Sequence, residues 1–186
     1  MLTTTFGVGE MLKDAISKGC KHILLGIGGS ATNDAGIGML AALGVKFYDN
    51  HKREVTPVGK NLKLISSVDL SKIINLKTIT IDVICDVTNP LYGPNGAAHI
   101  YAKQKGANST EIIELDNGLR HFATLCTTNP NTSGAGAAGG LGYALLSLNA
   151  NLKNGAEIVL ETAQLAHHIQ DADLIFTGEG KIDEQT

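Results

Sequence analysis

The chain has 186 residues, with 15 Lys and Arg against 18 Asp and Glu, for a formal net charge of −3. That length suffices for one well-buried domain, or for a domain with an appendage. The slightly acidic balance, without any Lys/Arg run, argues against a nucleic-acid face.

Along the chain, Val8, Met11, Leu12, Ala15 and Ile16 recur at helical spacing and predict a helix over 6–18, with Gly19 at its C-cap. "KHILLGI" (21–27) reads as a short buried strand. It runs into "GIGGSATNDAG" (26–36), after which Ile37, Met39, Leu40 and Leu43 mark a helix over 34–43 closed by Gly44. "VKFYD" (45–49) reads as a second strand, "DNHK" as a turn, and Gly59 to Leu64 as a short helical piece ahead of "ISSVDL". The β-branched alternation of "TITIDVICDV" (78–87) predicts a strand. The Asn-Pro, Gly-Pro and Asn-Gly pairs of "TNPLYGPNGAA" predict successive turns. An amphipathic helix follows over 110–126, then a loop "TTNPNTS". "GAGAAGGLGYALLSLNA" (134–150) passes from glycine-rich loop to apolar helix. A further helix is expected over 156–168 and a strand over 172–180. Strands alternating with helices indicate an α/β fold, with a mixed, partly parallel sheet flanked by helices. No linker divides the chain, so residues 1–186 read as a single region.

Glycine is abundant at 22 residues and Trp is absent, so close backbone approaches outweigh aromatic platforms. Cys20, Cys85 and Cys126 are odd in number and form no C-x-x-C pair. They are expected to be buried reduced thiols in a cytoplasmic protein. "MLTTTFGVGE" lacks the basic and apolar regions of a signal peptide, and no apolar run is long enough for a bilayer. The six histidines show no ligand spacing, and no Ser-His-Asp or G-x-S-x-G arrangement supports a hydrolase.

Four stretches carry chemistry. Gly26, Gly28 and Ala31 satisfy G-x-G-x-x-A, and Asp49 lies where a dinucleotide-binding strand places its ribose acid. Ser30, Thr32, Asn33 and Asp34 delay the helix, however, whereas a dinucleotide needs the helix to begin near the second glycine. Amides at a helix start favour an anion, while Asp34 favours a cation or hydroxyl. Together they suit a phosphate or carboxylate approached with a metal. A tight turn with Thr32 or Asn33 as N-cap is the structural alternative.

Gly134, Gly136, Gly139 and Gly140 could form a backbone-amide cradle for phosphate, or a helix start packed tightly on another backbone. No G-x-x-x-x-G-K-[ST] occurs, which removes a P-loop NTPase. "TGEGKIDEQT" (177–186) gathers Glu179, Lys181, Asp183 and Thr186 around Gly178 and Gly180. Such a set is either a solvated charge run or a loop that binds Mg²⁺, deprotonates a hydroxyl and neutralises a phosphoryl group. Asp86 and Asn89, after the third strand, could enter the same cleft or form an Asx turn.

In the same order as these blocks, "TTTFGVGEML", "GIGGSATNDAGIGMLAALGVKF", "CDVTNPLYGPNGAA", "GAGAAGGLGYALL" and "DLIFTGEGKIDEQT" resemble the glycerate kinase family. The resemblance covers nearly the whole chain. It implies two α/β lobes around an active site, and transfer of the ATP γ-phosphoryl to a D-glycerate hydroxyl, giving 2-phosphoglycerate. Gly28 to Asp34, Asp86, Asn89, Gly134 to Gly140 and Glu179 to Thr186 match the family motifs. Side-chain chemistry then assigns roles. Gly28, Gly29, Ser30 and Asn33 would hold phosphate or the glycerate carboxylate, and Asp183 would be the base, with Asp34 as rival. Lys181 would balance phosphoryl charge, and Asp34 or Glu179 would meet Mg²⁺.

Family members also carry a "DGGEGT"-type segment upstream and extend beyond the position of Thr186, and "TTNPNTS" replaces a longer segment ending in Pro-Gly. The chain is therefore expected to be a central piece of a kinase. Residues 172–186 would begin the return to the other lobe, activity alone would be lacking, and uncovered apolar surface would favour self-association. The competing expectations are a non-catalytic nucleotide- or hydroxy-acid-binding module and, on Gly26, Gly28, Ala31 and Asp49, an NAD-dependent dehydrogenase.

Overall fold

A computed structural model describes residues 1–176 and 178. They fall into two units, 1–154 and the described residues from 155 onward.

The first unit begins with α1 (Phe6–Ser17), β1 (His22–Gly26), α2 (Ile37–Ala42) and β2 (Lys46–Tyr48). A 3-10 turn (Gly59–Leu64), β3 (Ser67–Asp69), β4 (Thr80–Ile84) and α3 (Ala97–Tyr101) follow. A second 3-10 turn (Lys103–Lys105), α4 (Ser109–Ala123), α5 (Ala137–Ser147) and β5 (Asn151–Lys153) complete it. β1, β4 and β5 form a parallel sheet in that spatial order. Its register sets Leu24 opposite Asp82, and Asp82 opposite Asn151. β2 and β3 pair antiparallel as a separate ribbon, with Phe47 opposite Val68.

Strand periodicity divides the sheet into two unlike faces. Ile23, Leu25, Ile81, Val83 and Leu152 belong to the core or pack against it. On the other face His22, Leu24, Thr80 and Asn151 are exposed. There the carboxylate of Asp82, itself only 5% exposed, accepts from Asn151 Nδ2 at 2.9 Å and Lys153 Nζ at 3.0 Å, with His22 Nε2 at 2.7 Å. These donors come from both neighbouring strands, and they hold the Asp82 carboxyl at a pKa of about 2. One side chain thus ties three strands at a single level.

α1 packs on α2, α2 and α3 on α5, and α4 on α3 and the first 3-10 turn. The centre is aromatic. Phe122 meets Phe47 and Tyr143 edge-on, at centroid distances of 6.0 and 6.4 Å. α4 starts with a reciprocal capping box between Asn108 and Glu111.

Most predicted elements stand, with informative differences. The helix expected from residue 34 begins at Ile37, because Ala35 and Gly36 take left-handed backbone (φ 54° and 73°). β5 and α3 were not legible, both being short pieces set by packing. The thiols are free, but Cys20 is exposed and Cys85 and Cys126 only half-buried, which corrects the expectation of buried cysteines. The topology overturns the dehydrogenase reading. β2, which carries Asp49 past its end, pairs with β3 rather than lying parallel to β1. Asp49 is instead engaged by His51 N, Arg53 N and the Arg53 side chain.

The second unit holds α6 (Gly155–Thr162) and α7 (Leu165–His168), which divide the single helix expected over 156–168. Gln164, at φ 49°, makes the break. Residues 172–176 are not strand, which corrects that part of the predicted strand over 172–180.

Candidate functional site

A cleft of about 300 Å³ opens at the carboxyl ends of β1 and β4, where open α/β sheets place ligands. Gly26 to Ser30 form one wall, and Ile84 to Val87 form the next. Tyr101, Gln104 and Lys105 close the third side, and Ala137 and Ala138 the fourth. Gly28 and Gly29 are exposed, and a Cβ on either would meet nothing within 4 Å. Their backbone is therefore open to a ligand. A second cavity of about 250 Å³ lies across the same glycine strip, sharing Gly26, Ile27, Gly28 and Ser30. Thr4, Thr5 and Thr32 line it, with no charged side chain.

The sequence reading missed Lys105. Its ammonium donates to Ser30 Oγ at 2.9 Å and to the Thr32 carbonyl at 2.7 Å, across 75 and 73 positions of chain. Burial lowers its pKa to about 8, against the upward pull of the Asp34 charge. Its one local signal was a lysine directly before Gly106, which caps the second 3-10 turn in left-handed backbone. Nothing near it in sequence points to Ser30.

Of the predicted residues, Gly28, Gly29, Ser30 and Asp86 line the cleft, with Asp86 exposed. Thr32 contributes its carbonyl to Lys105 and lines the second cavity. Asn89 is committed to structure. It donates to Asn95 O, accepts from Tyr101 Oη through its side chain, and accepts from Gly136 N through its carbonyl.

Asp34 is a correction. It is fully buried, and its carboxylate accepts from Thr5 N (2.7 Å), Thr5 Oγ1 (2.9 Å), Gly38 N (3.2 Å) and Gly36 N (3.2 Å). Burial raises its pKa while these donors oppose the rise. It does the helix-start work expected of Thr32 or Asn33, and ties that start to the beginning of α1. This geometry suits a tether rather than a base or a Mg²⁺ partner. Asn33 is 5% exposed, and neither its Oδ1 nor its Nδ2 has a hydrogen-bond partner among the described residues. An unpaired buried amide of this kind costs about 1–3 kcal/mol.

Of the two readings of the glycine-rich block, tight packing on another backbone is what its four glycines display, while Ala137 and Ala138 of the same block line the cleft. Gly134, Gly136, Gly139 and Gly140 are buried, and a Cβ at each would overlap neighbouring atoms. At Gly139 those atoms belong to Thr32 and Asn33, and at Gly140 to Ala35 and Leu91. The block lets α5 press on the Thr32–Ala35 backbone. Gly178 is exposed, with open space around it. Glu179, Lys181, Asp183 and Thr186 lie outside the described residues.

The arrangement is an open cleft at the strand ends of an α/β sheet whose groups could meet an anion. The cation comes from Lys105, the open backbone from Gly28 and Gly29, and a carboxylate from Asp86. For ATP with Mg²⁺ the fit is partial. The cleft has room for a phosphate group beside Lys105, and Asp86 could face a phosphate-bound cation. Among the described residues no cluster of three or more His, Cys, Asp or Glu could hold a metal alone. No helix among them is long and apolar enough to cross a membrane.

The family model of the glycerate kinase family matches residues 1–186, and the chain belongs to that family. It is 46% identical over 193 residues to glycerate kinase of Bacillus subtilis, covering 100% of this chain and 50% of that protein. It is likewise 46% identical to glycerate 2-kinase of Escherichia coli, over 100% of this chain and 51% of that one. The crystal structure of putative glycerate kinase 2 from Salmonella typhimurium LT2 superposes with a TM-score of 0.90 at 42% identity, covering 100% of this chain and 51% of that one. The chain thus spans about half the length of these relatives.

Proposed function

We propose that this chain supplies one wall of a glycerate kinase active site, in which the γ-phosphoryl of ATP passes to a hydroxyl of D-glycerate to give 2-phosphoglycerate. One observation supports the reading most. Gly28 and Gly29 leave their backbone open where a Cβ would stand, at the end of β1 and in the same cleft as Asp86. Phosphoryl transfer demands positioning and charge stabilisation more than covalent chemistry from the protein. Open amides at Gly28 and Gly29 and the Ser30 hydroxyl meet the first demand. Bound ATP with Mg²⁺ would supply the phosphoryl group and its charge neutralisation. Asp183 is proposed as the base on the glycerate hydroxyl, and Lys181 as the countercharge. Residues 1–186 are read as a single, incomplete kinase region acting in the cytoplasm. The exposed sheet face around Leu24 supports the accompanying proposal of self-association.

The test is calorimetric titration of the purified chain with D-glycerate and with ATP·Mg²⁺. Binding of either, weakened at least tenfold in Gly28→Val at unchanged melting temperature, supports the reading. Absence of both bindings, or a Gly28→Val variant that binds as well as the parent, overturns it.

A further inference from the structure

Two cavities flank the Gly26–Ser30 strip, and they differ in charge. The cavity beside Thr4 and Thr5 offers threonine hydroxyls, backbone and apolar residues such as Val8 and Leu141, and no charged side chain. The cleft beyond Ser30 holds a lysine whose stem is half-buried and whose ammonium is fixed by two oxygens, Ser30 Oγ and Thr32 O. An ammonium has three donors. The third N–H of Lys105 is unclaimed among the described residues, and the side chain lines the open volume. At about 300 Å³ the cleft is at the lower limit of ligand pockets, which run about 300–1,000 Å³. It suits a small organic anion better than a whole nucleotide.

We infer that Lys105 is the carboxylate-binding residue of this cleft, pairing its remaining N–H with the acid group of a small 2-hydroxy acid of the glycerate type. The inference rests on the kinase reading for the identity of that acid, and on the described geometry for the pairing. Ser30 and Thr32 orient the ammonium, so the acid meets a positioned charge rather than a mobile one. Desolvation strengthens the pairing, because a half-buried ammonium has given up part of its water before the ligand arrives. Gly28 and Gly29 keep the approach clear of side chains. Asp34, behind it in the β1–α2 loop, is the charge that acts on this ammonium, and Asp86 and Cys85 after β4 and Tyr101 in α3 line the same cleft. Asp34 is spent on its backbone donors. With a pKa of about 8, Lys105 is charged below that pH. Acid binding therefore weakens as pH rises past 8.

The experiment follows the Lys105 Cε–Nζ signals by NMR through a pH titration of the 186-residue chain. It is run free, with D-glycerate, with uncharged glycerol, and with ATP·Mg²⁺. D-glycerate is expected to raise the Lys105 pKa, and glycerol to leave it unchanged. Calorimetry is expected to show at least tenfold weaker glycerate binding in Lys105→Met and partial retention in Lys105→Arg. A lysine acting only as a loop clamp would leave the titration unmoved by glycerate, and that result overturns the inference. A shift caused by ATP·Mg²⁺ and not by glycerate also overturns it, assigning the lysine to phosphate. Glycerate binding that survives Lys105→Met sinks this inference and leaves the kinase reading standing. Loss of both ligands from the parent chain sinks the two together. Should Lys105→Met fail to fold, the titration of the parent chain and of Lys105→Arg decides.

Discussion

The backbone of Gly139 lies directly against the carbonyl of Thr32. A Cβ on the glycine would overlap that oxygen, and at 2.7 Å would also meet Asn33 Cα. Gly139 is left-handed as well, at φ 71°. Gly139→Ala is therefore expected to destabilise the chain by about 3 kcal/mol or more, combining left-handed strain of about 1–2 kcal/mol with the backbone overlap. Gly28→Ala meets open space, so its stability should stay within about 0.5 kcal/mol of the parent. Urea unfolding of both variants checks the contrast. Equal losses would refute the separation of packing glycine from cleft glycine.

Asp34 is expected to act on stability. Asp34→Asn keeps the shape, but turns an amide donor toward N–H groups of Thr5, Gly36 or Gly38. The loss should be on the order of 2 kcal/mol or more, since a buried acceptor of several donors is removed. A variant with parental urea midpoint but altered ligand binding would return Asp34 to the cleft chemistry.

Asp82 sets an acid limit. Its folded pKa of about 2 lies below the usual 3.8, so the unfolded chain takes up the proton first as pH falls. The stabilisation is fully present above about pH 4 and drains away as pH falls through 2. Asp82→Asn should cost about 2 kcal/mol at neutral pH. The gap between variant and parent should close in that acid window, as followed by circular dichroism melts from pH 7 to 2. A gap independent of pH would disprove the assignment.

The sheet face of His22, Leu24, Thr80 and Asn151 is the fourth test. Parallel sheets are ordinarily covered on both faces, yet Leu24 is 48% exposed in the centre of β1. Leu24→Lys is expected to shift the chain toward monomer in light scattering at raised concentration. A parent chain that is monomeric throughout would remove this face as a self-association surface.

Local pattern was enough for α1, β1, β4, α4 and the glycine-rich entry to α5, because each carries its own periodicity and punctuation. The cleft position was legible too, since "GIGG" follows a strand and Asp86 follows another. Functional weight within the motifs was not. Asp34, Gly139 and Gly28 look equally available as letters. Burial separates them, spending Asp34 on Thr5 and the start of α2, and Gly139 on Thr32, while leaving Gly28 open.

The ordered motif blocks by themselves determined the family, and the alternation of apolar runs determined the α/β class. Tertiary structure alone decided that β2 leaves the main sheet, that Asp82 locks three strands, and that Lys105 reaches Ser30 across 75 residues. The reason is physical. Periodicity and capping are encoded within a few residues, whereas a carboxylate's donors and an ammonium's oxygens come from wherever the packed chain brings them.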